Sequence, residues 1–165
     1  MTILSMTDRK RSGTPIMINN LVYNGAGIAF TSQHEGRRYV AYQDSGGVWT
    51  CGDGHTDGVG PSTTCDDALA DEWLIQDTQM ASNAVNNLVS VPLTQNEFNA
   101  LVDFTFNCGI HAFSQSTMLI LLNSGDYAGA ALQFERWDLC DGKVVAGLLN
   151  RRKDEETEFD SSSGV

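Results

Sequence analysis

The sequence of 165 residues predicts an α+β fold: a small lobe of one helix and a β-hairpin, joined by a long helix to an all-helical lobe. Two observations predict it. Residues 39–51 have the pattern of two short strands around a glycine-containing turn. Beyond residue 63, apolar residues recur mainly at helical spacing. A cleft between two such lobes is a natural place to bind a long polymer.

The small lobe is predicted to begin with a short helix. Asn24 is a suitable N-cap, Glu35 lies in the last turn, and Gly36 allows a left-handed stop. The segment from Tyr39 to Cys51 then predicts the hairpin, with Asp44 in its turn.

The long connecting helix is predicted to start after Ser62 or Thr63 and to end near Leu88. Thr94 and Glu97 have the spacing of a capping box, which predicts the start of the next helix. Further helices are expected over about 116–123, 126–137 and 147–159.

We expect one domain, because a chain of this length can bury a sizeable core without splitting. The predicted limits are 17–160, with lobes at about 17–62 and 76–160 and the connecting helix at about 63–88. Residues 1–16 are expected to form a disordered arm and residues 161–165 a flexible tail.

The formal net charge of −11 argues against nucleic acid as a partner, because phosphate binding needs clustered Lys and Arg. No run approaches the roughly 20 apolar residues of a membrane span. The first residues also lack the apolar stretch of a signal peptide or signal anchor. We therefore expect no nucleic-acid partner and no stable membrane association.

The sequence contains four dispersed cysteines: Cys51, Cys65, Cys108 and Cys140. None forms the close pair that zinc sites use, so we expect no metal and no other cofactor. Two states remain open from the residues alone. The cysteines are either buried thiols, as is usual in a cytosol, or two disulfides formed in an oxidising compartment.

Glu35 and Asp44 suit the two carboxyl roles of glycoside hydrolysis, a protonated acid and an ionised base or nucleophile. The negative end of the helix macrodipole disfavours ionisation of a glutamate in the last turn. Asp44 lies in a polar turn whose amide donors favour a carboxylate. On the returning strand, the Thr50 hydroxyl could hold a water molecule. A capped helix and a simple Asx turn would also produce this pattern.

A longer pattern resembles the phage-type lysozymes of the T4 and P22 endolysin family. In the first lobe it consists of His34-Glu35-Gly36, Ala41-Tyr42-Gln43-Asp44-Ser45, Gly47-Val48-Trp49-Thr50 and Gly52-Asp53-Gly54-His55-Thr56. In the second lobe it includes Leu93-Thr94-Gln95-Asn96-Glu97-Phe98, Phe106-Asn107-Cys108-Gly109, Arg136-Trp137 and Gly147-Leu148-Leu149-Asn150-Arg151-Arg152. The resemblance covers about residues 24–159.

The resemblance implies a lysozyme-like fold with the active site in the cleft. It implies that Glu35 is the general acid, that Asp44 is the base that activates water, and that Thr50 positions this water. The implied reaction is inverting hydrolysis of the β-1,4 bond between N-acetylmuramic acid and N-acetylglucosamine. One departure is Asp53, which replaces a more usual aromatic or aliphatic residue.

The resemblance also implies partners and a location. We expect a monomer whose substrate is the glycan strand of peptidoglycan. It would be made in the host cytoplasm, depend on a separate holin for release, and act in the periplasm or cell wall.

Five further residues are candidates for substrate contact or support of the site: Tyr42, His55, Asn107, Trp137 and Arg151. For His55 we favour a structural role in its loop. For Asn107 and Trp137 we favour packing within the lobe. Arg151 is a candidate partner of Glu35, and a simple surface ion pair is the alternative.

The two disulfide pairings that we expect are Cys51 with Cys65 and Cys108 with Cys140. The first follows from a glycine-rich loop that must fold back between strand and helix. The second rests on the helix ends that the resemblance brings together.

Two other functions are considered. A non-catalytic wall-binding or virion structural module of the same fold would be expected to have lost the catalytic residues, yet all three are present. A lytic transglycosylase needs the acid but not the residues that activate water, so Asp44 and Thr50 count against it.

Overall fold

A computed structural model describes residues 18–140 and 142–161, so the expected N-terminal arm lies outside the described residues. The elements are α1 (Gly25–Glu35), β1 (Arg38–Gln43), β2 (Trp49–Gly52), α2 (Asp67–Leu88), α3 (Gln95–Cys108), α4 (Ile110–Ser114), α5 (Thr117–Asn123), α6 (Tyr127–Ala131), a 3₁₀ helix (Phe134–Trp137), β3 (Leu139–Cys140), β4 (Lys143–Val144) and α7 (Ala146–Asp160). The predicted α+β class is confirmed. Among the described residues, no helix combines the length and apolar character needed to cross a membrane.

Helix α1 begins and ends as its sequence predicts. The Asn24 side chain accepts a hydrogen bond from the Gly27 N–H, and Gly36 adopts the left-handed conformation with φ 72°. The chain therefore turns sharply after Glu35 and enters β1. In the hairpin, Tyr42 is opposite Thr50.

The connecting helix begins later than predicted, at Asp67 instead of near residue 63. Thr63 and Cys65 instead pair with β1, where Ala41 N–H donates to Thr63 and Cys65 N–H donates to Tyr39. Asp66 then caps the helix by accepting from the Leu69 N–H. Backbone pairing with the hairpin thus prevails over the local helix signal.

The predicted helix over 126–137 is divided into α6 and the 3₁₀ helix. The backbone tightens at Gln133, whose N–H donates to Ala130, three residues earlier. This turn buries Phe134 completely and leaves Leu132 exposed. The short helix α4 and the β3–β4 pair were not predicted.

The apolar core lies in the helical lobe and is centred on Phe104 of α3, whose ring meets those of Phe113, Phe134 and Trp137 edge-on. Helix α3 packs most extensively against α7 and also contacts α1 and α2. The hairpin lobe is different, because its buried side chains include the polar Thr50, Asp53 and His55. Gly52 allows β2 to approach α2 closely, since a Cβ there would meet the Trp73 ring at 3.3 Å.

Candidate active site

Glu35 is the last residue of α1 and projects where the two lobes meet. Its side chain is 25% exposed, and its Oε1 accepts a hydrogen bond of 2.8 Å from Nη1 of Arg151 on α7. No described residue donates to its other oxygen, Oε2. One carboxyl oxygen is thus fixed by the protein, and the other is available to a bound molecule.

Arg151 is almost fully buried and binds a second carboxylate. Its Nε and Nη2 donate to the two oxygens of Asp103 on α3, at 3.0 and 2.9 Å. Asp103 also accepts a hydrogen bond from Thr31 of α1. The Arg151–Asp103 pair therefore joins α1, α3 and α7 directly behind Glu35.

Glu155, one turn further along α7, adds a buried carboxyl group to this network. It accepts from Arg152 at 2.7 Å and lies 3.6 Å from Nε of Arg151. Burial, together with the neighbouring Asp103, raises the pKa of Glu155 well above its ordinary value. Burial alone would also raise the pKa of Asp103, but the hydrogen bonds and positive charge of Arg151 hold it below the ordinary value. The pKa shifts thus favour a neutral Glu155 near an ionised Asp103, and Oε2 of Glu155 has no hydrogen-bond partner among the described residues.

Asp44 lies in the exposed turn of the hairpin. Its Oδ1 accepts from the backbone N–H groups of Gly46 and Val48, at 2.8 and 2.9 Å. In the described chain, no group donates to Oδ2. The turn thus orients the carboxylate through one oxygen and leaves the other for solvent.

Thr50 is buried on β2, close to this turn. Its hydroxyl donates to the Val48 carbonyl at 3.1 Å, and the same carbonyl accepts from the Asp44 N–H. Because the hydroxyl proton is used in this way, the Thr50 oxygen remains able to accept a hydrogen bond. Val48 therefore links the positions of Asp44 and Thr50.

Asp53, which departs from the pattern of the resembled family, forms an ion pair with Arg37 in the structure. Its buried carboxylate accepts from Ser32 of α1 and from Nε and Nη2 of Arg37. Arg37 also binds Asp67 and Asp71 on α2. The Arg37 clamp, which we define as Arg37 with these three aspartates, ties the chain just after Glu35 to the hairpin and to α2.

His55 is fixed in its loop and contacts neither Glu35 nor Asp44 in the described structure. Its Nδ1 hydrogen-bonds to Asp77 at 2.9 Å, and its ring stacks on Trp73 with 4.6 Å between centroids. Backbone bonds in both directions pair His55 with Cys51. These contacts hold the strand that carries Thr50 against α2.

The remaining candidates occupy two different places. The Tyr42 ring lies on the hairpin beneath the Arg38 guanidinium, 4.2 Å from its centroid. Asn107 and Trp137 line one pocket of the helical lobe together with Arg152, which donates to the Asn107 side chain. Trp137 also packs on Phe104.

Cys51 and Cys65 are free thiols whose sulfur atoms lie 3.6 Å apart. Cys51 is buried directly beside Thr50, and Cys65 precedes α2. Cys108 is also a free thiol and accepts a hydrogen bond from Arg152. The side chain of Cys140, its expected partner, is outside the described residues, so this pairing stays a prediction.

The sequence interpretation missed Asp103, Glu155 and Arg37. The sequence does contain a signal that Asp103 has a special role, because an acidic residue between Val102 and Phe104 interrupts a buried helical segment. The spacing of Arg151 and Glu155 is the other signal, since it places both on one face of a helix.

The arrangement suits acid–base hydrolysis of a bond between sugars. It offers a carboxyl oxygen at the lobe junction, a separate carboxylate on the hairpin, and a hydroxyl acceptor beside it. In ranges 18–140 and 142–161, no three His, Cys, Asp or Glu residues are grouped to bind a metal ion.

Comparisons with known proteins agree with this chemistry. The sequence matches the phage lysozyme family over residues 32–155. It is 36% identical to the endolysin of Acyrthosiphon pisum secondary endosymbiont phage 1, covering 82% of this chain and 96% of that protein. It is 41% identical to the endolysin of Salmonella phage P22, covering 81% and 94%. The solved muramidase domain of SpmX from Asticaccaulis excentricus superposes with a TM-score of 0.78 at 38% identity, covering 84% and 97%.

We predict that Cys51 and Cys65 form a disulfide on oxidation, faster as the pH rises. Partial burial and the contact with Cys51 raise the pKa of Cys65 to about 11, so its reactive thiolate is scarce at neutral pH. Thiol titration of the denatured protein, after timed exposure to oxidised glutathione between pH 7 and 10, measures the rate. The Cys108→Ser variant serves as a control that retains the pair. A rate independent of pH, or three thiols that persist in Cys108→Ser after complete oxidation, would contradict the prediction.

We predict that Glu155→Gln becomes progressively more stable than the wild type as the pH rises. The pKa of Glu155 is raised in the folded protein, so its stabilising effect is complete below the ordinary glutamate value and is lost at higher pH. Glutamine is neutral at every pH and avoids this loss. Thermal unfolding between pH 5 and 9 measures the difference, with exposed Glu72→Gln as the matched control. A Glu155→Gln deficit that grows with pH would exclude a neutral Glu155.

Proposed function

This chain belongs to the phage lysozyme family, and from that premise we propose how its residues cut the β-1,4 bond between N-acetylmuramic acid and N-acetylglucosamine. The protein is a lysozyme-type glycoside hydrolase, an endolysin that hydrolyses bacterial peptidoglycan and lyses the host cell. The observation that carries the proposed mechanism is the position of the Glu35 carboxyl, held through one oxygen at the junction of the lobes.

Glu35 is the general acid in this proposal. Its Oε2 has no donor among the described residues, so in the protonated state it can donate to the glycosidic oxygen that leaves. Arg151 holds Oε1 and thereby limits rotation of the carboxyl group. Partial exposure of the side chain leaves access for the glycan.

Asp44 is the general base, and Thr50 positions the attacking water. The two backbone donors to Oδ1 hold the Asp44 carboxyl group in place, and its Oδ2 receives no donor from the described residues. The Thr50 oxygen can accept one proton of the same water because its own proton goes to Val48. Attack from this side, opposite the leaving oxygen, would invert the anomeric carbon.

A non-catalytic wall-binding module does not account for these features as well. Such a module needs neither the donor pair on Asp44 nor the buried support behind Glu35. A transglycosylase would need Glu35 but not an ordered base on the hairpin. We therefore prefer the hydrolase with water as the nucleophile.

We further propose that the protein acts as a monomer and is made in the host cytoplasm. It would reach the periplasm or cell wall after a separate holin permeabilises the inner membrane. The family relationship supports this proposal, since the P22 relative of similar length is an endolysin. Co-expression with and without a holin would test it by the time of lysis.

We predict that Glu35→Gln lowers clearing of purified peptidoglycan by at least about 100-fold, because an amide cannot donate the required proton. Asp44→Asn should also be strongly impaired, whereas Thr50→Ser retains a hydroxyl and should lose less. Turbidity measures the rate, circular dichroism verifies folding, and Glu72→Gln is the matched control. Retention of most activity in folded Glu35→Gln would contradict the assignment.

We predict that the first product carries a new reducing end of inverted configuration. Hydrolysis by activated water gives a free anomeric hydroxyl, whereas a transglycosylase forms an anhydro-sugar. NMR of the anomeric proton immediately after cleavage distinguishes these products. Retained configuration would instead indicate a covalent intermediate on Asp44, and an anhydro product would exclude hydrolysis.

A further inference from the structure

The guanidinium group that holds Glu35 is already committed to another carboxylate. Asp103 takes two of the three nitrogen atoms of Arg151, at 3.0 and 2.9 Å, and only Nη1 reaches Glu35. The Asp103 side chain is fully buried, so solvent does not screen this pair. Helices α3 and α7 also pack extensively against each other, so this pair is not their sole attachment.

We propose that Asp103 is a positioning residue of the active site: it neutralises Arg151, so that the guanidinium orients the Glu35 carboxyl without stabilising its ionised form. This inference rests on the proposed role of Glu35 as the general acid. Asp103 acts only through Arg151 and donates nothing to the substrate.

The reason lies in two conflicting demands on the acid. A general acid must be held in one orientation, and a charged arginine is a strong hydrogen-bond donor for that purpose. An uncompensated positive charge at 2.8 Å would, however, favour the carboxylate and leave Glu35 without its proton. A guanidinium paired bidentately with Asp103 keeps the donor and removes most of the net charge.

Other ionisable groups lie near the Arg151–Asp103 pair, and the choice of variants must take them into account. His34 of α1 faces Asp154 of α7 at 3.6 Å, and Arg152 binds Glu155. The Tyr23 hydroxyl reaches Asp103 through Thr31, and burial followed by the charge of Asp103 raises the pKa of this tyrosine. Glu155 lies close enough to Arg151 to ionise in place of Asp103.

Because Glu155 can compensate in this way, the sharpest variant is Asp103→Asn combined with Glu155→Gln. Both substitutions preserve shape and leave Arg151 unpaired except by Glu35. The alkaline midpoint of the pH profile of kcat/KM, measured by peptidoglycan clearing at fixed ionic strength, should fall by about one pH unit or more. Asp103→Asn alone should give a smaller fall in the same direction.

Arg151→Gln provides an independent test with the opposite sign. It removes the cationic donor from Glu35, whether Asp103 then stays ionised or takes up a proton, so the alkaline midpoint should rise even though the rate falls. A purely structural role would lower the rate without moving the midpoint in opposite directions. The exposed Asp160→Asn on α7 removes the same charge as Asp103→Asn and should leave the midpoint unchanged.

An unchanged or raised midpoint in the folded double variant would overturn the inference. If circular dichroism shows that the double variant does not fold, the Arg151→Gln variant serves as the test instead. An unchanged or lowered alkaline midpoint in Arg151→Gln would then overturn the inference. Activity in Glu35→Gln, measured in parallel, would instead refute the proposed acid. Failure of the inference is therefore distinguishable from failure of the proposed function.

Discussion

The ion pair between Arg151 and Asp103 is the interaction on which the site depends. It joins α7 to α3 inside the protein, and Thr31 extends it to α1. The free end of the same guanidinium fixes Glu35 at the end of α1. Removing one partner of such a buried pair leaves an uncompensated charge, which is usually costly by about 3–5 kcal/mol. The Arg151–Asp103 pair thus contributes both to the stability of the fold and to the placement of the proposed acid.

The hairpin lobe is held in a different way from the helical lobe. The helical lobe has an aromatic core in which Phe104 of α3 meets Phe113, Phe134 and Trp137, whereas polar contacts hold the hairpin to α2. These contacts are the Arg37 clamp on one side and His55 with Asp77 and Trp73 on the other. Asp44 stays exposed in the turn of the hairpin, while Thr50, close to the same turn, is buried.

Local sequence signals predicted the elements that carry the site, and long-range pairing explains the failures. The cap at Asn24, the stop at Gly36 and the capping box at Thr94 are local, and all three are present. The predicted start of α2 was wrong because Thr63 and Cys65 form backbone hydrogen bonds with β1. The local sequence around these residues contains no signal of this pairing. The roles of Asp53 and Asp103 could not be predicted for the same reason, since their arginine partners lie 16 and 48 residues away.

The most direct test of the central claim is a crystal structure of Asp44→Asn with a bound peptidoglycan fragment that spans the cleavage point. We expect the glycosidic oxygen within about 2.6–3.2 Å of the Glu35 oxygen that Arg151 does not hold, because proton donation requires hydrogen-bond contact. We also expect a water molecule between Thr50 and the anomeric carbon, on the opposite face of the sugar. A fragment bound with its glycosidic oxygen away from Glu35, or with no room for that water, would contradict the account.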